Sequence, residues 1–403
     1  MAGRDGTNGN RQSRNAKVRQ YGVVAGAAIG AFVAAAAMAT GSAAPAKADF
    51  EDLLDPIIQP LVTSLSDAIA GFDPAAATDL TSWTDSLLAS LNSIDLALPS
   101  TADPAAAAAA VTPDISSSTA TIPLTVLEDT EPAVNVSVDG GSSLPMLVDT
   151  GSSGLVIPWE DLGSTTTQQL ENLFSLGFPS SFGESGYSGG VDYIYLTYDN
   201  VPTDYGNGAL DTTGPVDVEI LSWPTSFSSP PNFETFLADN DVSGILGIGE
   251  NAAGPTTSPL ESYGGVLVDV PDGKLIVDSA NPGTALATVS GAPIANLYES
   301  INGGTPVAVS DDVDSGGVFG TIPSSLESGS SVPSGTTIDV YNQPGGTLLY
   351  SYTTGNLGSS GYDGPTPVTG TAIDSGVLPF LQEPIYISYT DNMMSFDVPG
   401  SIH

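Results

Sequence analysis

The sequence predicts a mostly β protein of two lobes behind a short N-terminal helical segment, and three observations predict it. From about Ala120, apolar runs such as TIPLTVLED, PAVNVSVD and LPMLVD are separated by Glu-Pro and Asp-Gly-Gly turns, the marks of antiparallel strands. Gly, Pro, Ser and Thr punctuate the chain to its end without long helical periods. Roughly 280 residues of this texture exceed one small sandwich and suit two lobes. The third observation is a repeat: Asp149 opens DTGSSGLVIP, and 165 residues later Asp314 opens DSGGVFGTIP.

Taken in order, residues 1–48 read as an export signal. A basic stretch precedes YGVVAGAAIGAFVAAAAMAT, and Ala46-Lys47-Ala48 offers a small-residue cleavage site. No twin-arginine pair is present, so general secretion is expected, to the medium or to the cell surface, with cell-envelope association left open. The apolar run is also long enough to span a bilayer, which makes an uncleaved anchor the rival reading. Residues 49–100 carry apolar residues at helical spacing, broken by Pro56, Pro60 and Pro74. A spacer or cap is preferred there over a removed pro-segment, because the segment has no cation to neutralise acidic groups. Residues 101–119 form an Ala/Pro/Ser linker. Lobe one is expected over 120–285, with a short helix from Thr165, and lobe two over 286–403.

The basic residues narrow the chemistry. Six of seven Lys plus Arg precede residue 49, leaving Lys274, in the PDGK turn, as the only later one; of 46 acids only Asp5 lies in that first stretch. The single His is the terminal His403 and there is no Cys. Ser or Cys triads lack their base and zinc lacks its ligands. Nucleotide and nucleic-acid partners lack the cations that would clamp phosphate. No metal or cofactor is expected, and no Asp-x-Asp-x-Asp-Gly loop suggests calcium. A monomer acting on an extended peptide or protein is the expected state.

What remains is carboxylate chemistry. In both copies a hydroxyl follows the Asp, Gly comes second, and Ile-Pro closes the motif; a third triplet at Asp374, DSGVLPFLQE, lacks that Ile-Pro. An apolar strand delivers each Asp, Gly151 or Gly316 lets the chain turn closely, and Thr150 and Ser315 can donate across the junction. Two facing carboxylates compete for ionisation, giving an acid and a base in one pocket. Ser152 adds a hydroxyl beside Asp149, whereas Gly317 stands at that place in the second copy. Asp149 and Asp314 are therefore expected to be inequivalent. Alone, Ser152 could equally cap a turn.

At these residues the sequence resembles the pepsin-like aspartic proteases, a bilobal fold. PAVNVSVDGGSSLPMLVDTGSSGLVIP is similar to the hairpin leading into their first catalytic loop, and DVSGILGIG to the segment that passes beneath it. TDYGNGAL is similar to the flap, which implies Tyr205, Gly206 and Gly208 as substrate-facing; a plain edge-strand aromatic is the alternative for Tyr205. The stretch from about 120 to 400 more closely resembles the aspartic protease domain of mycobacterial PE_PGRS proteins, the PecA-like family. YSGGVDYIYLTYD, GILGIGENAAGP and VDSGGVFGTIPSSL carry that likeness. It implies Asp314 as the second catalytic aspartate, with the region of Asp374 lying under the second loop. The family's PE domain and glycine-rich tract are not present here, so its specialised export route and its cleavage of such domains are not implied. The expectation is an aspartic endopeptidase. A catalytically inactive β-rich binding module of the same fold is the rival, and a carboxylate-pair glycosidase the third reading.

Overall fold

A computed structural model describes residues 119–402 apart from 178, 188–189, 227–228, 328, 330 and 356–363. The expected signal, the helical segment and all but the last residue of the linker lie outside the described residues. No helix among them is long and apolar enough to cross a membrane.

The first half contains β1 (Ala120–Leu127), β2 (Glu131–Val138), β3 (Leu144–Asp149) and β4 (Ser153–Pro158), followed by a 3₁₀ turn at Trp159–Leu162. Helix α1 (Thr166–Ser175) starts where the Thr165 side chain accepts from the Gln168 amide at 3.3 Å and buries Leu170 and Leu173. Next come β5 (Ser181–Gly186), the long hairpin of β6 (Val191–Tyr205) and β7 (Leu210–Pro224), α2 (Phe233–Ala238) and β8 (Gly244–Ile248). After β9 (Gly265–Asp269), β10 (Lys274–Val277) and β11 (Ala285–Ser290), the second half holds β12 (Ile294–Ile301), β13 (Val307–Asp312) and β14 (Thr321–Pro323). It continues through β15 (Thr337–Tyr341), β16 (Leu348–Thr353), β17 (Thr366–Val368) and β18 (Ala372–Asp374), and ends with β19 (Ile385–Ser388) and β20 (Met393–Asp397).

Two sheets result. The larger runs β11-β20-β19-β9-β10-β1-β2-β3-β8-β4-β7-β6-β5, and the smaller runs β16-β15-β12-β13-β18-β14-β17. A division of the sequence at 285/286 falls at the start of β11, and the larger sheet crosses it. β19 and β20 return from the far end of the chain to pair with β9 and β11. Their burial explains the return: Ile385, Ile387, Met394 and Phe396 are all inaccessible and need a sheet already covered on its other face. One core joins both halves, with Val148, Leu246 and Ile248 in the same cluster as Val313, Val377, Phe380 and Phe396.

The fold positions the repeated turns by a crossing that local pattern alone does not dictate. β8 lies between β3 and β4, parallel to the first (Asp149↔Gly247) and antiparallel to the second (Gly154↔Gly247). All five β8 residues are buried, and a Cβ on Gly247 would sit 2.7 Å from the Ser153 backbone, so glycine is the residue that admits the crossing. β18 stands to β13 and β14 in the same way, parallel to one (Asp312↔Asp374) and antiparallel to the other (Thr321↔Asp374).

Candidate active site

Each repeated turn leaves a buried strand and is pinned to its counterpart by reciprocal hydrogen bonds. The Thr150 amide donates to Ser315 Oγ at 3.0 Å and the Ser315 amide to Thr150 Oγ1 at 2.8 Å. The Thr150 hydroxyl donates to the Val313 carbonyl at 2.6 Å, and the Ser315 hydroxyl donates to the Val148 carbonyl at 2.6 Å. Both hydroxyl residues are fully buried, so every bond in this four-membered set would be costly to leave unmade.

The set brings the two carboxylates together. The Gly151 amide donates to Asp149 Oδ1 at 2.9 Å and to Asp314 Oδ1 at 3.0 Å, so one N–H is shared by both acids. The Gly316 amide donates to Asp314 Oδ1 at 2.8 Å. The two carboxyls thus stand next to each other, and the charge of Asp149 acts directly on Asp314. A Cβ on Gly151 would lie 2.6 Å from both Asp314 oxygens, and one on Gly316 would lie 2.7 Å from Asp149 Oδ1. Glycine is thus what lets the turns approach each other.

The outer oxygens differ. Ser152 Oγ donates to Asp149 Oδ2 at 2.6 Å. Opposite Asp314, Gly317 has no hydroxyl, and a Cβ there would collide with the Asp374 carboxylate and lie 3.0 Å from Asp314 Oδ2. Burial raises the Asp314 carboxyl well above the usual range, and the charges of Asp149, Asp374 and Asp312 push it further. Asp312 and Asp374 are raised as well, burial first in each case. Burial and the neighbouring acids thus both favour the protonated form of Asp314.

Tyr205 does not reach this site. Its ring is inaccessible within the core, because pairing with Val136 of β2 turns it inward. Gly206 and Gly208 close the β6–β7 turn, and Gly206 sits against Ile122 and Pro123 of β1. No substrate can touch a ring with no exposed surface, so Tyr205 is not substrate-facing in this structure. The residue the sequence reading missed is Tyr187, at the tip of the β5–β6 hairpin, where the turn is closed by bonds from the Tyr187 amide to the Val191 carbonyl and from the Gly190 amide to the Tyr187 carbonyl. Its phenol lies within hydrogen-bonding reach of Ser152 and close to Asp149, and its ring stacks on Tyr193, Phe233 and Phe236 at centroid distances of 5.7, 5.8 and 5.8 Å. The available signal was YSGG, a Tyr entering a glycine turn between two strands. Tyr193 and Tyr198 are packing residues, both buried.

The sequence comparison decides the family. The model of the PE-PGRS C-terminal aspartyl peptidase-like domain matches residues 120–396. The chain belongs to this family. PE cleavage protein A of Mycobacterium tuberculosis is 38% identical over 302 residues, covering 70% of this chain and 52% of that protein. Its counterpart in Mycobacterium marinum is 40% identical over 302 residues, covering 69% and 52%. The chain thus spans about half the length of the curated relatives it matches. A crystal structure of the aspartic proteinase from Irpex lacteus aligns over 71% of this chain and 98% of its own, at TM-score 0.47 and 13% identity. The fold of this family member is mostly β, with the paired strand crossings described above, and its domain is aspartyl peptidase-like.

Proposed function

We propose that the chain is an exported aspartic endopeptidase in which Asp149 and Asp314 activate one water against a peptide bond. The observation that carries this reading is the Gly151 amide shared between the two carboxylates, which holds their inner oxygens at one point. Asp314, kept protonated by its buried and acidic surroundings, donates toward the scissile carbonyl oxygen. Asp149, held by the Ser152 hydroxyl, takes a proton from the water as it attacks the carbonyl carbon. The tetrahedral gem-diol then collapses as the C–N bond breaks: one of its hydroxyls returns a proton to Asp314 while Asp149 gives its proton to the departing nitrogen. No covalent enzyme intermediate forms. Tyr187 is placed to close over the substrate from the β5–β6 hairpin, and an extended peptide beneath it would be held by strand-like backbone bonds. The relatives' name, PE cleavage protein A, supports a peptidase reading and makes a PE protein one substrate to test. Export rests on residues 1–48 and is checked by sequencing the N-terminus of the protein recovered outside the cell.

The full chain incubated with an unfolded protein between pH 3 and 7 should yield peptides. Asp149→Asn and Asp314→Asn should each lower the rate by about a thousandfold or more while leaving the melting temperature within a few degrees. Peptide binding without any cleavage by the wild-type chain would favour the inactive module, and sugar release from glycans would favour the glycosidase.

A further inference from the structure

A second group of carboxylates lies apart from the paired turns. Glu160 sits in the 3₁₀ turn after β4, Glu219 on β7 and Glu234 in the first turn of α2. One carboxylate oxygen from each lies within 4.8 Å of the others. The parallel pairing of β4 and β7, with Pro158 opposite Glu219, brings the first two together. Glu219 is 2% exposed. Its Oε2 has no hydrogen-bond partner among the described residues, and neither has Oε2 of Glu160 or Glu234. Asp161 adds another acid facing Glu234. The one Lys or Arg from residue 119 onward, Lys274, is engaged 3.3 Å from Asp272. Among the described residues nothing supplies a positive charge here.

We propose that Glu160, Glu219 and Glu234 form a binding site for a hard divalent cation, calcium in preference to magnesium. The donors are all carboxylate oxygens, which select hard cations over the softer metals that want His or Cys. Two oxygens sharing one calcium at about 2.4 Å can stand up to about 4.8 Å apart, a separation that no pair of the three exceeds. Magnesium, at about 2.1 Å, holds its ligands closer and keeps more of its water. A carboxylate binds a cation in its deprotonated form, so calcium and protons compete for these oxygens. A bound ion would fasten α2 to β4 and β7. Phe233 and Phe236 of that helix are the rings on which Tyr187 stacks, so the ion would brace the wall behind the hairpin tip.

Calorimetric titration of the EDTA-treated full chain with calcium chloride at pH 8 tests this. The expected result is one ion per chain and a rise in melting temperature on adding calcium. Glu219→Gln should weaken binding at least tenfold. Glu234→Gln, half-exposed and so less demanding on the fold, should do the same and decides the matter where Glu219→Gln does not fold. Asp314→Asn should leave calcium binding unchanged, which separates this site from the paired turns. Absence of calcium binding to the wild-type chain, or binding indifferent to both Glu substitutions, would overturn the proposal in favour of carboxyls neutralised by protons alone. Magnesium binding as tight as calcium would overturn the stated preference.

Discussion

The two Asp-hydroxyl-Gly turns are matched where they touch and unmatched where they face outward. Thr150 and Ser315 exchange the same bonds in both directions, and Gly151 and Gly316 each make room for the opposite carboxylate. Beyond that, Asp149 meets the Ser152 hydroxyl, whereas Asp314 meets the carboxylate of Asp374. Their surroundings differ in the same sense. Buried Asp217, on the first side, accepts from Thr197 at 2.7 Å and Thr256 at 2.6 Å. On the second side Asp311 has one donor, Tyr350 at 3.0 Å, and Asp311 Oδ1 and the neighbouring Glu299 Oε2 have no partner among the described residues. Symmetry at the contact fixes the geometry of the pair; asymmetry behind it decides which acid keeps the proton.

The symmetric part is the most sensitive to damage. Gly151→Ala would drive a methyl into the Asp314 carboxylate, and the turns would have to separate. A displacement of this order costs about a hundredfold or more in catalysis, so kcat/KM should fall by at least that much. Near-wild-type turnover of a folded Gly151→Ala protein would mean that close approach of the turns is dispensable.

The reciprocal hydroxyls come next. Thr150→Val and Ser315→Ala each orphan a buried amide and a carbonyl, at about 1–3 kcal/mol apiece. The double variant should lose less than the sum, with a coupling of about 0.5–3 kcal/mol. Strict additivity in urea unfolding would break the picture of one shared network.

Proton dependence then separates the two sides. Glu299 and Asp311 are raised to about 8 and about 7, by burial first. In the unfolded chain both would ionise near their ordinary values of 4.5 and 3.8. Between those limits the folded state holds protons that the unfolded state has released, so stability is greatest at acid pH and falls as pH rises toward 8. The melting temperature should drop by several degrees from pH 5 to 8.5 without added metal, and Glu299→Gln should flatten that slope. Asp217, raised only to about 6, should contribute nothing further above that pH. A melting temperature that climbs with pH would contradict the assignment.

How much of this was legible follows from the range of each interaction. The repeated triplets announced both turns, and the hydroxyl after each Asp announced the cross-junction bonds, because motif and partner are the same motif. Ser152 against Gly317 also stated the inequality of the acids. Tyr205 and Tyr187 both enter glycine turns, and turn chemistry cannot tell them apart. Only the pairing of β2 with β6, which buries Tyr205, decides between them. The return of β19 to β9 spans more than a hundred residues and leaves no local pattern. The Glu160, Glu219 and Glu234 group is assembled from a turn, a strand and a helix, with no spacing that a cation motif would match.

Asp374 is the finest test, since the sequence presents it as a third, incidental triplet. β18 places it under the second turn, where it adds to the charges raising Asp314 without standing in the pair. Asp374→Asn should leave the maximal rate within a few-fold of wild type, as the sequence reading expects. Removing that negative charge should lower the pH at which Asp314 gives up its proton. The alkaline limb of the kcat/KM profile should therefore move to lower pH while the acid limb stays in place. An unmoved alkaline limb would mean that the carboxylate is screened from the pair. Loss of turnover in a folded Asp374→Asn protein would mean instead that Asp374, rather than Asp314, works opposite Asp149.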